Sequence, residues 1–309
     1  MAGWYLAPME EVTGDLFRVA IAKHFGGVDR YFTPFLSPVT GVAFKTRQGR
    51  EIDPSHNAGL PVVPQVLTDN ADAALHMFGV LADLGYSEVN LNFGCPSGTV
   101  VKKGRGSGFL RDVDGMKRFF DRIFSAELPV TVSVKTRIGF ADAAEWPAIL
   151  AVYNQYPLSE LIVHARVRED WYGNRPNTEA IAYALAEAKA PLVYNGDVTS
   201  AAGARELMRR YPGLSGVMIG RGAVTNPGIF RELQGGEAMT AAELRAFHDD
   251  LYGMYCARYG AKDTLFKMKE LWGYLGDRYP DAPRAKKQIH KCRTEAEYLA
   301  AASELLGEA

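Results

Sequence analysis

Eight short apolar runs, each followed by a stretch of helical periodicity, constrain this chain more than any other feature. They are Trp4–Met9, Tyr31–Phe35, Val62–Leu67, Val89–Phe93, Val130–Thr136, Leu161–His164, Leu192–Asn195 and Gly216–Ile219. Most are rich in Val, Leu and Ile without clean apolar–polar alternation, the pattern of strands buried on both faces. Amphipathic stretches between them include Asp15–His24, Ala71–Leu84, Asp114–Phe124, Ala180–Ala188 and Ala201–Arg210, with Asn70 and Ser200 where N-caps belong. The alternation argues for βα units and a parallel sheet. Eight units within about 220 residues predict an α/β fold of the TIM (β/α)8 barrel type. A doubly wound sheet is the rival, but its first turn is normally glycine-rich. Here that turn is Ala7-Pro8-Met9-Glu10, without glycine.

The rhythm stops after Asn226–Leu233. Gln234-Gly235-Gly236 reads as a linker, and Thr240-Ala241-Ala242-Glu243 as a capping box that opens a helix. From there to Ala309 the periodicity is helical, broken near Gly260, Gly276 and Pro280–Pro283. The expected organisation is a barrel over residues 1–235 and a small C-terminal all-α helical bundle of three or four helices over 236–309. A chain of 309 residues, 47% hydrophobic and 23% charged, can bury its own core without covalent staples. Its three cysteines, Cys95, Cys256 and Cys292, are too few for a disulfide framework and suit a reducing compartment. Met1–Met9 is too short and lacks the basic start of a leader. No apolar run approaches the roughly 20 residues of a membrane helix. The expectation is a cytoplasmic monomer with no membrane partner. The formal net charge of −1 gives no global pull on nucleic acid, so any RNA affinity must be local.

Active sites of such barrels lie where the strands end at their C-terminal side. Here those ends carry Pro8-Met9, Gln65, Asn92 to Pro96, Lys135 with Arg137, His164 to Arg166, Asn195 to Asp197, and Gly220 to Gly222. Glycines at the last two ends let backbone amides approach an anion, and Arg221 adds a fixed charge, so a phosphate is expected there. The plainer reading is a pair of tight turns beside a surface arginine. Lys135 lies in a strand expected to be buried and needs an anion to offset its desolvation. A flavin ring, a carboxylate partner and a Schiff-base role all satisfy that need. Gln65 is placed to hydrogen-bond a ring edge or to fill a barrel layer. Cys95, between Gly94 and Pro96, is a general acid, a nucleophile or an inert small residue. No CxxC or Cys/His spacing marks a metal site.

Ser97–Arg111 holds Lys102, Lys103, Arg105 and Arg111 and no acid. Its glycines Gly98, Gly104, Gly106 and Gly108 imply a mobile loop, a lid or a grip on a polyanion, against the plainer reading of a solvated surface. A second basic cluster, Arg284, Lys286, Lys287, Lys291 and Arg293, falls in the helical region. Gly104-Arg105-Gly106-Ser107-Gly108 lacks the spacing and preceding strand of a dinucleotide fingerprint.

Several motifs come together in order along the barrel. They are Ala7-Pro8-Met9 with Val12-Thr13 and Phe17-Arg18; Asn92-Phe93-Gly94-Cys95-Pro96; and Lys103-Gly104-Arg105-Gly106-Ser107-Gly108-Phe109-Leu110. Val134–Gly139, His164-Ala165-Arg166, Asn195-Gly196-Asp197 and Met218–Gly222 follow. With them the chain resembles the tRNA dihydrouridine synthase family over the whole barrel, while the C-terminal region matches only in length and helical character. The resemblance implies FMN at the barrel mouth, NADPH (or NADH) as reductant, and a tRNA uridine that receives hydride at C6. It implies that Cys95 protonates C5. Ala7, Pro8, Met9, Gln65 and Lys135 would contact the flavin, and His164, Asn195, Gly196, Asp197, Gly220 and Arg221 its ribityl chain and phosphate. Asn92 and Arg166 would lie near the uracil, and Lys102, Lys103, Arg105 and the helical region would hold the RNA. The uridine would have to be splayed out of the folded tRNA. Departures fall in loops: Glu11 stands where the family usually has glycine, Gly14-Asp15 shifts an acidic position, and Pro176-Asn177-Thr178 replaces the usual residues after Tyr172.

Two rivals differ in class. One is an FMN barrel reductase acting on a free pyrimidine or another small unsaturated molecule. The other is a non-enzymatic RNA-binding protein on a decayed barrel, against which the intact strand ends speak.

Overall fold

The structure is a computed structural model and describes residues 2–38 and 46–307. One parallel sheet contains β1 (Gly3–Leu6), β2 (Arg30–Phe32), β3 (Val62–Val63), β4 (Gln65–Val66), β5 (Glu88–Phe93), β6 (Thr131–Gly139), β7 (Leu161–Val167), β8 (Leu192–Asn195) and β9 (Gly216–Ile219). Their order is β3-β2-β1-β9-β8-β7-β6-β5-β4. The two ends of that order are halves of one apolar run, divided by Pro64, which has no N–H to give the ladder. β3 pairs with β2, β4 pairs with β5, and Leu36 bridges to Val66. The sheet therefore curls until its edges meet, and the fold is a TIM-type barrel with one expected strand split in two.

Alternate residues of a barrel strand face inward. At the bottom, Tyr5 Oη donates to Glu160 at 2.8 Å, and Arg30 reaches Glu88 at 3.0 Å and Glu160 at 3.4 Å. Above that polar plug, Tyr5, Phe32, Val63, Ile162, Val193 and Met218 pack together. Nearer the C-terminal ends of the strands the inward side chains are polar: His164 and Asn195 follow Ile162 and Val193, and Gln65, Asn92 and Lys135 come from β4, β5 and β6. The outward residues, such as Val89, Leu91, Val132, Val134 and Val163, pack under the helices. Two-sided burial is why the strands read as apolar runs.

Helices Asp15–His24 and Ala201–Arg210 match their expected limits, and Ala71–Asp83, Val113–Phe124 and Thr178–Glu187 lie within two residues of theirs. Asn70 accepts from the Ala73 amide at 2.9 Å and Ser200 from Gly203 at 3.1 Å, so both N-caps form. Helix Trp146–Tyr153 has no counterpart among the expected stretches. It buries Trp146, Ile149, Leu150, Val152 and Tyr153, which leaves no polar stripe for a periodicity argument to find.

The Ser97–Arg111 segment differs from its expectation as a mobile loop. Gly98–Val101 is a helical turn, Gly106–Arg111 is a 3-10 turn, and residues Gly106–Leu110 are buried. The glycines serve close packing. Gly106 has φ 56°, and a Cβ there would lie 2.9 Å from the Cys95 carbonyl oxygen; at Gly108 it would lie 2.8 Å from that of Val101.

The C-terminal region is helical. Ala241–Leu275 opens on the formed Thr240/Glu243 capping box and breaks at Gly260 (φ 75°, ψ 168°). Pro283–Lys291 and Glu295–Leu306 follow. Phe247 docks this region on the first barrel helix, edge-on to Phe17 at 5.9 Å and beside Phe25 at 5.5 Å. No helix among the described residues is long and apolar enough to cross a membrane.

Candidate active site

A cavity of about 420 Å³ opens at the mouth where the strands end. Its walls follow from the inward register. β5 ends in an Asx-type turn: Asn92 Oδ1 accepts from the amides of Gly94 at 3.0 Å and Cys95 at 2.9 Å. Asn92 Nδ2 donates to Gln65 Oε1 at 2.7 Å, Gln65 Nε2 to Asn90 at 2.8 Å, and Asn90 Nδ2 to Ser133 at 2.9 Å. This buried chain ties β4, β5 and β6 together and sets where Cys95 stands. The Ser107 hydroxyl adds a bond to the Cys95 carbonyl at 2.8 Å. Burial pushes the Cys95 thiol up; the Ser97 amide, Lys135 and Arg137 pull it down less than burial and Glu10 raise it. The group is a thiol at neutral pH.

Two residues along β6 from Ser133, Lys135 points into the cavity. Burial, and the Arg137 charge beside it, bring its ammonium down to about 7. Arg137 is fully buried and donates to three carbonyls: Gly94 at 3.0 Å, Val167 at 2.8 Å and Trp171 at 2.9 Å. It therefore staples the Cys95 turn to the loop after β7.

On the far wall, two guanidiniums share one carboxylate. Arg166 grips Asp197 with both terminal nitrogens, and Arg221 reaches the same carboxylate. Those contacts hold Asp197 below the usual carboxylate range. Arg166 Nη1 also donates to His164 Nε2 at 3.1 Å, so the His164 proton sits on Nδ1. Burial first, then Lys135, Arg137, Arg166 and Arg221, push His164 well below its ordinary value, and it is neutral. The wall thus carries excess positive charge and a neutral N–H donor, a setting for a dianion. Ala7, Pro8 and Met9 make the apolar side, pinned by Thr13, whose hydroxyl bonds the Met9 amide at 2.7 Å and the Ala7 carbonyl at 3.0 Å. A Cβ at Gly220 would meet Ala7 and Met9 at 3.4 Å and narrow the space beside them.

The description "dihydrouridine synthase" belongs to the family model that matches residues 5–306. The chain belongs to that family. Membership makes it an enzyme of the oxidoreductase class. A probable tRNA-dihydrouridine synthase of Staphylococcus epidermidis is 32% identical over 235 residues, covering 74% of this chain and 70% of the relative. One of Staphylococcus aureus is 30% identical over 277 residues, covering 86% and 80%. Probable tRNA-dihydrouridine synthase 2 of Bacillus subtilis is 30% identical, covering 81% and 78%. Among solved structures, an old yellow enzyme homologue from Zymomonas mobilis aligns with TM-score 0.55 at 11% identity, over 77% of this chain and 90% of that one. Morphinone reductase aligns with TM-score 0.52 at 12% identity, over 77% and 87%. At such identities the likeness is one of fold.

In this dihydrouridine synthase family member, Ala7, Pro8, Met9, Gln65, Lys135, His164, Asn195, Gly196, Asp197, Gly220 and Arg221 all line the one cavity, together with Asn92 and Cys95. Arg166 stands behind the wall, fully buried on Asp197. Lys102 and Lys103 are exposed outside the cavity, and Arg105 pairs with Asp69 at 2.7 Å. Sequence reasoning placed Arg137 at a strand end and Tyr172 in a loop without giving either a role, and gave none to Glu10 or Tyr274; all line the cavity. Arg137 had a signal, since it shares the inward register of Lys135. Tyr274 had none, because only the docking of the long C-terminal helix brings it to the mouth.

Proposed function

We propose that this enzyme reduces a uridine in tRNA to 5,6-dihydrouridine with FMN and NADPH. The observation that carries the reading is one cavity uniting a protonated thiol, a buried lysine and a cationic wall with a neutral histidine donor. The residues fit FMN. Its phosphate suits Arg221 and the His164 Nδ1–H, Ala7, Pro8 and Met9 offer an apolar side to a flat ring, and Lys135 offers a cation to it. A volume of about 420 Å³ is within the usual range for such a ligand. When bound and reduced by NADPH, FMN supplies the hydride that uracil C6 accepts.

The chain's own residues supply the rest. Cys95 gives its thiol proton to C5, completing the addition of two hydrogens across the C5–C6 bond. Asn92 and Ser107 hold that thiol in place through its backbone. Lys135 keeps a proton against the negative charge that reduction brings to the ring. Arg166 acts through Asp197 and His164, fixing their orientation. The uridine leaves the tRNA stack to reach the thiol. Residues 236–309 grip the RNA body: helix Pro283–Lys291 buries Ala285 and Ile289 and turns Arg284, Lys287 and Lys291 to solvent. Lys102, Lys103 and Arg105 assist from the barrel.

Mass spectrometry of unmodified tRNA incubated with the protein, FMN and NADPH tests this. A gain of two mass units at a uridine is expected. No gain across a full tRNA set, with flavin bound and reducible, would replace it by reduction of a small unsaturated molecule.

A further inference from the structure

The rim of the cavity carries a feature that the reduction itself does not use. After β7, the segment 168–174 leaves two large rings in solvent, Trp171 at 46% exposure and Tyr172 at 51%. Trp171 has φ 50° and ψ −101°, a region that a bulky residue enters only when its surroundings hold it there. They do. The Asp170 carboxylate accepts from the Val167 amide at 3.1 Å, the Trp171 amide donates to Arg168 at 3.1 Å, and Arg137 donates to the Trp171 carbonyl. The indole is presented to solvent from a clamped backbone.

Beside it runs a ladder of cations and rings. The Arg168 guanidinium lies 5.1 Å from the Trp171 ring centre and 5.6 Å from that of Phe140, and Arg111 lies 4.5 Å from Phe140. Arg105, Arg118 and Arg122 each sit on an aspartate. Among the described residues Arg111 and Arg168 have no such acidic partner: Arg111 bonds a backbone carbonyl, and Arg168 Nε bonds nothing. The ladder leads to Tyr172, which lines the cavity.

We propose that Arg111, Phe140, Arg168 and Trp171 form a track for the RNA strand that flanks the target uridine, with Trp171 stacking the neighbouring base. The proposal rests on the reading of the chain as a tRNA-modifying enzyme. A base drawn into the cavity leaves its neighbour with one face unstacked, and an indole at the mouth replaces that contact. Guanidiniums already stacked on rings are fixed charges for the phosphates of the same strand. Trp171 is a positioning residue and touches no reacting atom.

The test uses the FMN-loaded, oxidised full chain and a short single-stranded oligouridylate. Trp146 and Trp272 are fully buried and Trp4 is partly so, which makes Trp171 the exposed indole reporter. The oligonucleotide is expected to quench indole emission, and Trp171→Phe to remove that quench. On tRNA, Trp171→Ala is expected to raise KM about tenfold with kcat within about twofold, and Trp171→Phe to recover most of it. Arg168→Ala is expected to reduce the salt slope of binding by about one. Retained flavin reduction by NADPH shows that each variant is folded. Unchanged KM in Trp171→Ala, with no quench in the parent, overturns the track even if dihydrouridine forms. A quench without dihydrouridine supports the track and overturns the proposed reaction instead.

Discussion

Burial raises the Cys95 thiol more than the Ser97 amide, Lys135 and Arg137 lower it, so it reaches neutral pH holding a proton. A group in that state donates. Cys95→Ala is expected to slow uridine reduction at least about a hundredfold, the usual scale for a lost general acid. Flavin reduction by NADPH, followed by bleaching of the flavin band, is expected to survive. An equal loss in both half-reactions would instead mean a damaged flavin site. Lys135 makes a second prediction. With its ammonium at about 7 in the free protein, the negative charge that reduction brings to a ring bound beside it must raise that value. Well below pH 7 the lysine already carries its proton and adds no slope. Between about pH 7 and 9 the proton has to be taken up with reduced FMN, so the affinity for reduced over oxidised FMN is expected to fall by up to tenfold per unit relative to Lys135→Met. Anaerobic titrations with reduced and with oxidised FMN at several pH values read this. A ratio that runs parallel in the parent protein and Lys135→Met would remove Lys135 from the flavin.

At the scale of elements, the turn between β1 and the first helix is the informative case. Glu11 occupies a position where the resembled family usually has glycine, and its φ is 64°. That conformation costs a non-glycine residue about 1 kcal/mol. The side chain offsets it with ties to Arg47 and to Lys267, whose ammonium also reaches the Glu11 carbonyl at 3.1 Å. Glu11→Ala keeps the strain and drops the side-chain ties, so a loss of about 1 kcal/mol is expected. Glu11→Gly drops both and is expected to be near neutral. Denaturant melts of the two variants decide it, and identical midpoints would mean that the strain is not there. The sequence marked this residue as unusual but could not say what compensates it, because Lys267 arrives from 256 positions away. The Ser97–Arg111 segment teaches a related lesson. Its glycines have the composition of a flexible loop, yet Gly106 and Gly108 are small because the Cys95 and Val101 backbones press against them.

For the whole molecule, the barrel and the C-terminal helices share one apolar core that includes both Phe17 and Phe247. Phe247 is wholly buried against Phe17, Phe25 and His24. Phe247→Ala is expected to destabilise the protein by about 3 kcal/mol or more, through lost burial and a cavity. The midpoint of chemical unfolding measures it. A change below about 1 kcal/mol would mean that the helical region is only loosely docked. The docking also has a functional side, since it delivers Tyr274 to the cavity that the barrel strands build.

Local pattern by itself determined the strands and most helices, the order of the βα units, and the set of strand-end residues that meet in the cavity. Period-two register is a property of the backbone, so Asn92, Lys135, His164 and Asn195 had to face inward together once their strands closed into a barrel. The split of the third strand at Pro64, helix Trp146–Tyr153, the burial of Gly106–Leu110 and the places of Arg166, Tyr172 and Tyr274 were decided by tertiary structure. Each depends on what lies across the chain from it: a neighbouring strand, the core under a helix whose exposed residues are also apolar, a carbonyl at van der Waals distance, a shared carboxylate. Those partners are remote in sequence, and packing alone brings them near.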